Sequence, residues 1–179
     1  TKCFTKHCDS FICMSKTVLQ QLSEIEPTKK AILTPHPLYN NFGDLVSKEK
    51  ACEILKLSPK YNYILFFGLI RKYKGLDLLL LAMGNPLIKQ LPAKLLIAGE
   101  FYENPQIYTD LIHSLEIENN VIICNEFIPQ QNVKYYFSAS DIVAQTYHSA
   151  SQSGITQIAF HFNKPMLVTN VGGLSEIVH

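Results

Sequence analysis

Two glycine-bounded loops carry most of the chemistry legible in this chain. The first reads Gly68-Leu69-Ile70-Arg71-Lys72-Tyr73-Lys74-Gly75, three cations within four positions, after an apolar run and before a helical one. Arginine presents a planar fork of donors and lysine a point charge; a helix N-terminus adds free N–H groups and a positive dipole end. That set suits a diphosphate, with Arg71 and Lys74 as its cations; the alternative is a solvated basic loop. The second loop, Tyr147-His148-Ser149-Ala150-Ser151-Gln152-Ser153-Gly154, also opens a helical run. Small hydroxyl residues and a glycine admit a ligand close to the backbone, which makes Ser153 and Gly154 candidates for the same phosphates. Neither Ser151 nor Ser153 has the flanking glycines of a nucleophile elbow, which argues against a serine hydrolase. Two carboxylates follow glycines: Glu100 after Gly99, and Glu176 just beyond Gly172-Gly173. Either can accept hydrogen bonds from sugar or ribose hydroxyls, or can be a solvated or helix-dipole carboxylate.

The elements that must position these loops follow from periodicity. Five short runs, at 64–68, 95–98, 121–124, 142–146 and 166–171, are nearly continuous in apolar or β-branched residues, as strands covered on both faces require. Their starts lie about 20 to 30 residues apart, room for one helix in each right-handed βαβ unit. Residues 76–83 predict a buried helix. Ile107, Leu111, Ile112 and Leu115 predict one helix face, Val133, Tyr136 and Phe137 a second opened by Pro129, and Ile155, Ile158, Ala159 and Phe162 a third. Residues 172–178 read as the start of a further helix. The fold class is therefore α/β: a Rossmann-like parallel sheet flanked by helices on both faces. In such a sheet ligands bind beyond the carboxyl ends of the strands, where both loops and both glutamates fall. Asp141 precedes its strand and belongs to the opposite end, as a structural residue. His148 alone among the histidines considered, with His36, His113 and His161, is placed at the crevice.

The opening sixty residues differ in kind. They predict strands at 11–14 and 31–34, a helix capped by Ser15, an extended exit forced by Pro35-His36-Pro37, and a helix capped by Ser47.

Composition sets outer limits. The chain has 179 residues, 47% hydrophobic and with a formal net charge of +1, enough for a sizeable core and giving no general attraction for nucleic acid. Its apolar runs are too short to span a bilayer, and it opens without a signal-peptide pattern. Five cysteines without a C-x-x-C pair read as reduced thiols of a cytoplasmic protein, with no metal site. The absence of G-x-G-x-x-G and of a P-loop lysine motif weakens the dehydrogenase and NTPase readings.

Four segments in order, residues 66–79 (FFGLIRKYKGLDLL), 95–100 (LLIAGE), 140–147 (SDIVAQTY) and 164–178 (KPMLVTNVGGLSEIV), resemble the nucleotide-sugar-binding half of family 4, group 1 glycosyltransferases of the GT-B type. The resemblance covers about residues 60 to 179. It implies residues 1–60 as the end of an acceptor domain with the interdomain segment, and residues 61–179 as a donor-binding domain whose last helix is cut at His179. A GT-B chain needs roughly twice this length. The resemblance implies transfer of a sugar with retention and without a metal ion or resident cofactor, from a nucleoside-diphosphate sugar to an unidentified acceptor. A glycan or a lipid-linked acceptor fits, with peripheral membrane association through the other domain, in polysaccharide biosynthesis.

Residue by residue, Lys74 matches the family lysine before glycine. The family arginine usually follows the first glycine, where Leu69 stands; Arg71 takes its part. Phe127 and Ile128 would lie beside the nucleobase. Glu100, Gly172, Gly173 and Glu176 would serve the nucleotide or sugar. The two family glutamates, counted back from Pro165, fall on Ala150 and Ile158, so both carboxylates are missing. Gln152, within the polar run 151–154, would hold the sugar with its amide instead. No catalytic residue is assigned. A non-catalytic sugar-nucleotide-binding module and a sugar-nucleotide epimerase of the same architecture are the alternatives.

Overall fold

Strands without a polar face must be covered twice, and this demand organises the chain. The computed structural model describes residues 2–178. In chain order the elements are α1 (Lys2–Lys6), β1 (Ser10–Cys13), α2 (Lys16–Ile25), β2 (Lys30–Leu33), α3 (Lys48–Leu55), β3 (Asn62–Phe67), α4 (Leu76–Met83), α5 (Pro86–Lys89), β4 (Ala93–Ala98), α6 (Gln106–Ser114), β5 (Val121–Cys124), α7 (Gln130–Ala139), β6 (Ile142–Gln145), α8 (Gly154–His161) and β7 (Met166–Val168). Single 3₁₀ turns lie at Lys72–Lys74 and Glu118–Asn120.

Five strands form one parallel sheet in the order β5-β4-β3-β6-β7. Successive side chains on a strand point to opposite faces, and β3 shows the consequence. Tyr63, Leu65 and Phe67 join Val133, Phe137, Ile158 and Phe162 in one core, under α7 and α8 with Ala51 and Cys52 of α3. Phe66 joins Leu76, Leu80, Met83, Tyr108 and Ile112 in the other, under α4 and α6. Full burial of a side chain such as Leu80 or Phe137 stabilises the fold by about 1.5–3 kcal/mol relative to exposure. Asp141 pins the amino end of the sheet. Its carboxylate accepts from the Tyr63 N–H at 2.7 Å and the Lys48 ammonium at 2.7 Å, the structural place expected for it.

Residues 2–34, before the segment whose Tyr39, Phe42 and Val46 pack on the first core, form a smaller layer. There β1 and β2 pair in parallel, Ser10 opposite Lys30 through Cys13 opposite Leu33, while Ile12 and Ile32 remain exposed. Ser15 caps α2 by accepting from the Val18 N–H, and Ser47 caps α3 by accepting from the Lys50 N–H, both as their sequence positions predict.

The expected helix over 172–178 is absent: residues 172–177 make successive turns. The last strand also stops earlier, at Val168; just beyond it the Thr169 hydroxyl donates to the Tyr147 carbonyl at 2.6 Å. In α6 the inner face is Tyr108 and Ile112, whereas Ile107 is 64% exposed. The helix begins at Gln106 behind Pro105, and this phase sends Tyr108 to the sheet with Ile112 one turn on.

Candidate functional site

From β3 the chain adds β4 and β5 on one side, then crosses to add β6 and β7 on the other, so the sheet reverses its winding between β3 and β6. At such a switch point the loops leaving neighbouring strands diverge and open a crevice at their carboxyl ends. Gly68 leaves β3 and Gly99 leaves β4, and their backbones touch. At Gly99, with φ of +139°, a Cβ would stand 2.3 Å from the Gly68 carbonyl oxygen, so a side chain there would force the two loops apart. Beside this pair lies a cleft of about 310 Å³ lined by Phe67, Gly68, Leu69, Gly99, Glu100, Phe127 and Ile128. The structure thus brings Glu100, Phe127 and Ile128 together on one opening, with the ring of Phe127 exposed at its edge.

Lys74 is the unusual residue of the crevice. It is only 8% exposed, yet its ammonium has neither a hydrogen bond nor an ion pair among the described residues. It lies 5.9 Å from the centre of the Tyr147 ring and 3.4 Å from where a Cβ on Gly68 would be. Burial, and then the repulsion of Arg71, lower its pKa from 10.5 to about 8. The Arg71 guanidinium lies 4.3 Å above the centre of the Tyr102 ring, and its Nε is buried without a partner. Two neighbouring cations therefore stand at the switch point with no protein anion between them.

The loop that carries them is held from the β6 side. The Thr146 hydroxyl donates to the Gly75 carbonyl at 2.7 Å, the His148 N–H donates to the Tyr73 carbonyl at 2.8 Å, and Tyr73 meets Tyr147 edge to face. His148 reaches the Asp77 carboxylate at 2.9 Å, a pairing 71 residues apart that sequence spacing gives no means of finding.

The second loop departs from expectation. The Ser153 hydroxyl faces inward: it accepts from the Ile155 N–H at 3.2 Å and lies 3.2 Å from the Tyr147 hydroxyl. It caps its own helix, α8, and is buried instead of facing a phosphate. Tyr39, from the segment before α3, packs on Gly154; a Cβ there would lie 3.1 Å from the ring. Tyr39 gave no signal in sequence because its contact is entirely long-range. Gln152 has a buried carbonyl oxygen without a partner, as does the amide nitrogen of Gln145 at the end of β6.

Of the positions held by the family glutamates, Ile158 is 5% exposed in the core beneath α8, while Ala150 lines a second cleft. That cleft, of about 520 Å³, is bordered by Thr17, Gln21, His148, Ser151 and Gly172 as well. Gly172 and Gly173 serve close packing within the protein. Their Cβ positions lie 1.7 Å from the Ala150 carbonyl oxygen and 2.0 Å from that of Ser151.

Glu176, expected at the ribose or sugar, is committed elsewhere. Its carboxylate accepts from the Lys16 N–H at 2.7 Å, the Thr17 N–H at 2.9 Å and the Thr17 hydroxyl at 2.7 Å, closing the free N-terminus of α2. Burial raises its pKa, but the Thr17 hydroxyl and the two backbone donors outweigh this and hold it below the usual carboxylate value. A carboxylate depressed in the folded state contributes stability in full above its unfolded pKa and loses it as pH falls through the lower folded value. Glu176→Gln is expected to cost about 1 kcal/mol in urea denaturation near neutral pH, as for a lost cap. It should also shrink the loss of stability on the acid side; an unchanged acid limb in the variant would contradict this role.

Among the described residues no three His, Cys, Asp or Glu side chains converge in a way that could hold a metal ion, and no helix is long and apolar enough to cross a membrane.

Comparison with known proteins agrees with this architecture. A relative, the D-inositol 3-phosphate glycosyltransferase of Segniliparus rotundus, is 30% identical over 165 residues, covering 89% of this chain. The chain spans 36% of that relative's length. Sucrose-phosphate synthase of Thermosynechococcus elongatus superposes with a TM-score of 0.83 at 19% identity, over 98% of this chain and 44% of that one. HepE of Anabaena, solved with UDP and glucose, superposes with a TM-score of 0.73 at 19% identity, over 97% of this chain and 48% of that one. The structural likenesses show the same α/β fold. The family profile described as glycosyl transferases group 1 matches residues 47–179, and with it the chain belongs to the group 1 glycosyltransferases.

Proposed function

We propose that this chain is the donor-binding half of an enzyme that moves a sugar, with retention and without a metal ion, from a nucleoside-diphosphate sugar to a glycan or lipid-linked acceptor. The unpaired ammonium of Lys74, a residue only 8% exposed, beside Arg71 carries the reading. Two neighbouring cations without a protein anion are stabilised by a ligand that supplies the negative charge, and a diphosphate does so. The cleft beside Gly68 and Gly99, with Phe127 and Ile128, would take the nucleoside, and Glu100 would accept from its hydroxyls. HepE of Anabaena, solved with UDP-glucose, supports this donor class. During transfer, negative charge grows on the departing diphosphate, and fixed cations in a water-poor crevice stabilise that charge most. Residues 1–60 would then end the acceptor domain and cross between the domains, and residues 61–179 would hold the donor. The cytoplasm, where nucleotide sugars are available, is the proposed location, and nucleic acid is not a proposed partner.

A specific observation favours a second reading, a sugar-nucleotide-binding module without turnover. The ribose and sugar carboxylates of the family are absent, and Ile158 faces the apolar core.

Calorimetric titration with UDP, GDP and ADP tests the proposal. At least one is expected to bind with an affinity on the order of micromolar to millimolar, and Arg71→Ala to weaken it by about 1–3 kcal/mol. Binding of none of the three would overturn both readings. Release of sugar from the bound donor by a chain that includes the acceptor half would separate them, turnover favouring the transferase.

A further inference from the structure

The first loop also borders a second cleft, through its residues 71–73. It has a volume of about 660 Å³ and is bordered by Arg71, Lys72, Tyr73, Asp77, Tyr102, Glu103 and His148. Ligand sites commonly enclose about 300–1,000 Å³. Its walls are fixed from both sides. The Ile70 N–H donates to the Glu100 carbonyl at 2.8 Å and the Tyr102 N–H to the Ile70 carbonyl at 3.0 Å, which extends the β3–β4 pairing and sets Tyr102 beside Arg71. Opposite, the Asp77–His148 contact and the His148–Tyr73 backbone bond hold the other wall.

The lining is chemically mixed. Tyr102 is 66% exposed and Tyr73 is 43% exposed, so two aromatic rings are available to a ligand. Glu103 has no ion pair among the described residues, and Asp77 has His148 alone. Two carboxylates and two cations, Arg71 and Lys72, balance here, so the lining carries no excess charge of either sign to select an ion. Polar groups around the rings disfavour a purely apolar occupant, whose burial would strip them of water. A saccharide matches every part. The electron-rich face of an aromatic ring attracts the C–H face of a pyranose, while carboxylates accept from hydroxyls and the Lys72 ammonium donates to them.

We propose that this cleft binds a neutral saccharide, the acceptor end of the transfer, so that the donor half itself takes part in choosing the acceptor. The acceptor role rests on the donor reading given above; the saccharide site itself does not.

The test is an NMR titration of this chain with maltotriose, chitotriose, mannobiose and lactose, each with and without saturating UDP. At least one is expected to give saturable shifts at Tyr73, Tyr102 and His148, with a Kd on the order of millimolar that persists with UDP bound. Tyr102→Ala is expected to raise that Kd about 3- to 10-fold, the worth of one aromatic contact, and Tyr102→Phe to restore it. Glu103→Gln, at an exposed position, should weaken the same saccharide without altering the fold. Absence of saturable shifts with all four, or shifts unaltered in both Tyr102→Ala and Glu103→Gln, overturns the inference. If UDP binds and no saccharide does, this inference fails and the donor reading stands. If a saccharide binds at these residues and no nucleotide does, the cleft stands and the donor reading falls.

Discussion

Replacing Lys74 with methionine is expected to weaken binding of a nucleoside diphosphate by about 10- to 100-fold, the worth of a charge-assisted hydrogen bond. At neutral pH it should leave the free chain as stable as before, or more so. The two effects run in opposite directions for one physical reason. An ammonium buried without an anion costs desolvation in the free protein, and a flexible apolar side chain of similar length removes that cost. The diphosphate repays the cost only when it arrives.

Protonation links the same effects to pH. Burial, with Arg71 adding to it, brings the folded pKa of Lys74 to about 8 from 10.5. Between those values the unfolded chain holds more protons than the folded one, so stability rises with pH across that window. Below it both forms are charged and the penalty is full. Diphosphate binding has the opposite dependence, weakening as pH rises past the folded value and taking up a proton near it. Urea denaturation of both forms at about pH 7 and about pH 9 reads the first effect, and calorimetry in buffers of different ionisation enthalpy reads the second. A methionine variant that binds UDP with undiminished affinity would end the assignment of Lys74 to the donor site.

Gly75→Ala is expected to cost about 2–5 kcal/mol of stability and to abolish diphosphate binding with it. Gly75 has φ of +66°, and a Cβ there would stand 1.8 Å from the Thr146 carbonyl oxygen, a backbone atom of the neighbouring loop. The left-handed conformation costs a non-glycine residue about 1–2 kcal/mol. The collision adds overpacking of about 1–3 kcal/mol. To relieve it, the 71–75 loop must lift from the β6 side and release the hydrogen bond from the Thr146 hydroxyl. Arg71 and Lys74 would then leave the crevice together. Equilibrium urea denaturation and UDP titration of the one variant measure both outcomes. A change in stability within about 0.5 kcal/mol would show that the loop docking is dispensable.

The sheet was legible because each of its strands is a local pattern. Val121–Cys124 matches its expected bounds, and the other four main strands differ by one to three residues at one end or, for β3, at both. Ser15 and Ser47 were legible as caps because a cap is a bond between a side chain and an N–H three residues on, within reach of any sequence reading. The first candidate loop was legible for its charge alone. Ile107 and Tyr108 show the limit of such patterns: adjacent apolar residues compete for one helix face, and the starting phase of the helix decides between them.

Two candidate site residues have partners within the protein that the sequence could not show, for one cause. Ser153 and Glu176 are polar side chains after glycine-rich or strand-terminal positions, where a ligand contact and an intramolecular cap look alike in sequence. Glu176 meets Thr17 across 159 positions. No local spacing can announce such a partner, since it depends on where the small β1–β2 layer docks.

By itself, then, the sequence determined the strands and main helices of the α/β unit, the parallel sheet and the loops that leave its carboxyl ends. These follow from the periodicity of apolar residues and from local capping. Only the tertiary structure decided which charged groups in those loops stay unpaired. It gave Glu176 to α2, Ser153 to α8 and Asp77 to His148, and left Lys74 buried without an anion. Whether a charge awaits a ligand depends on what the rest of the chain brings within about 4 Å of it, and that distance is set by packing between distant segments.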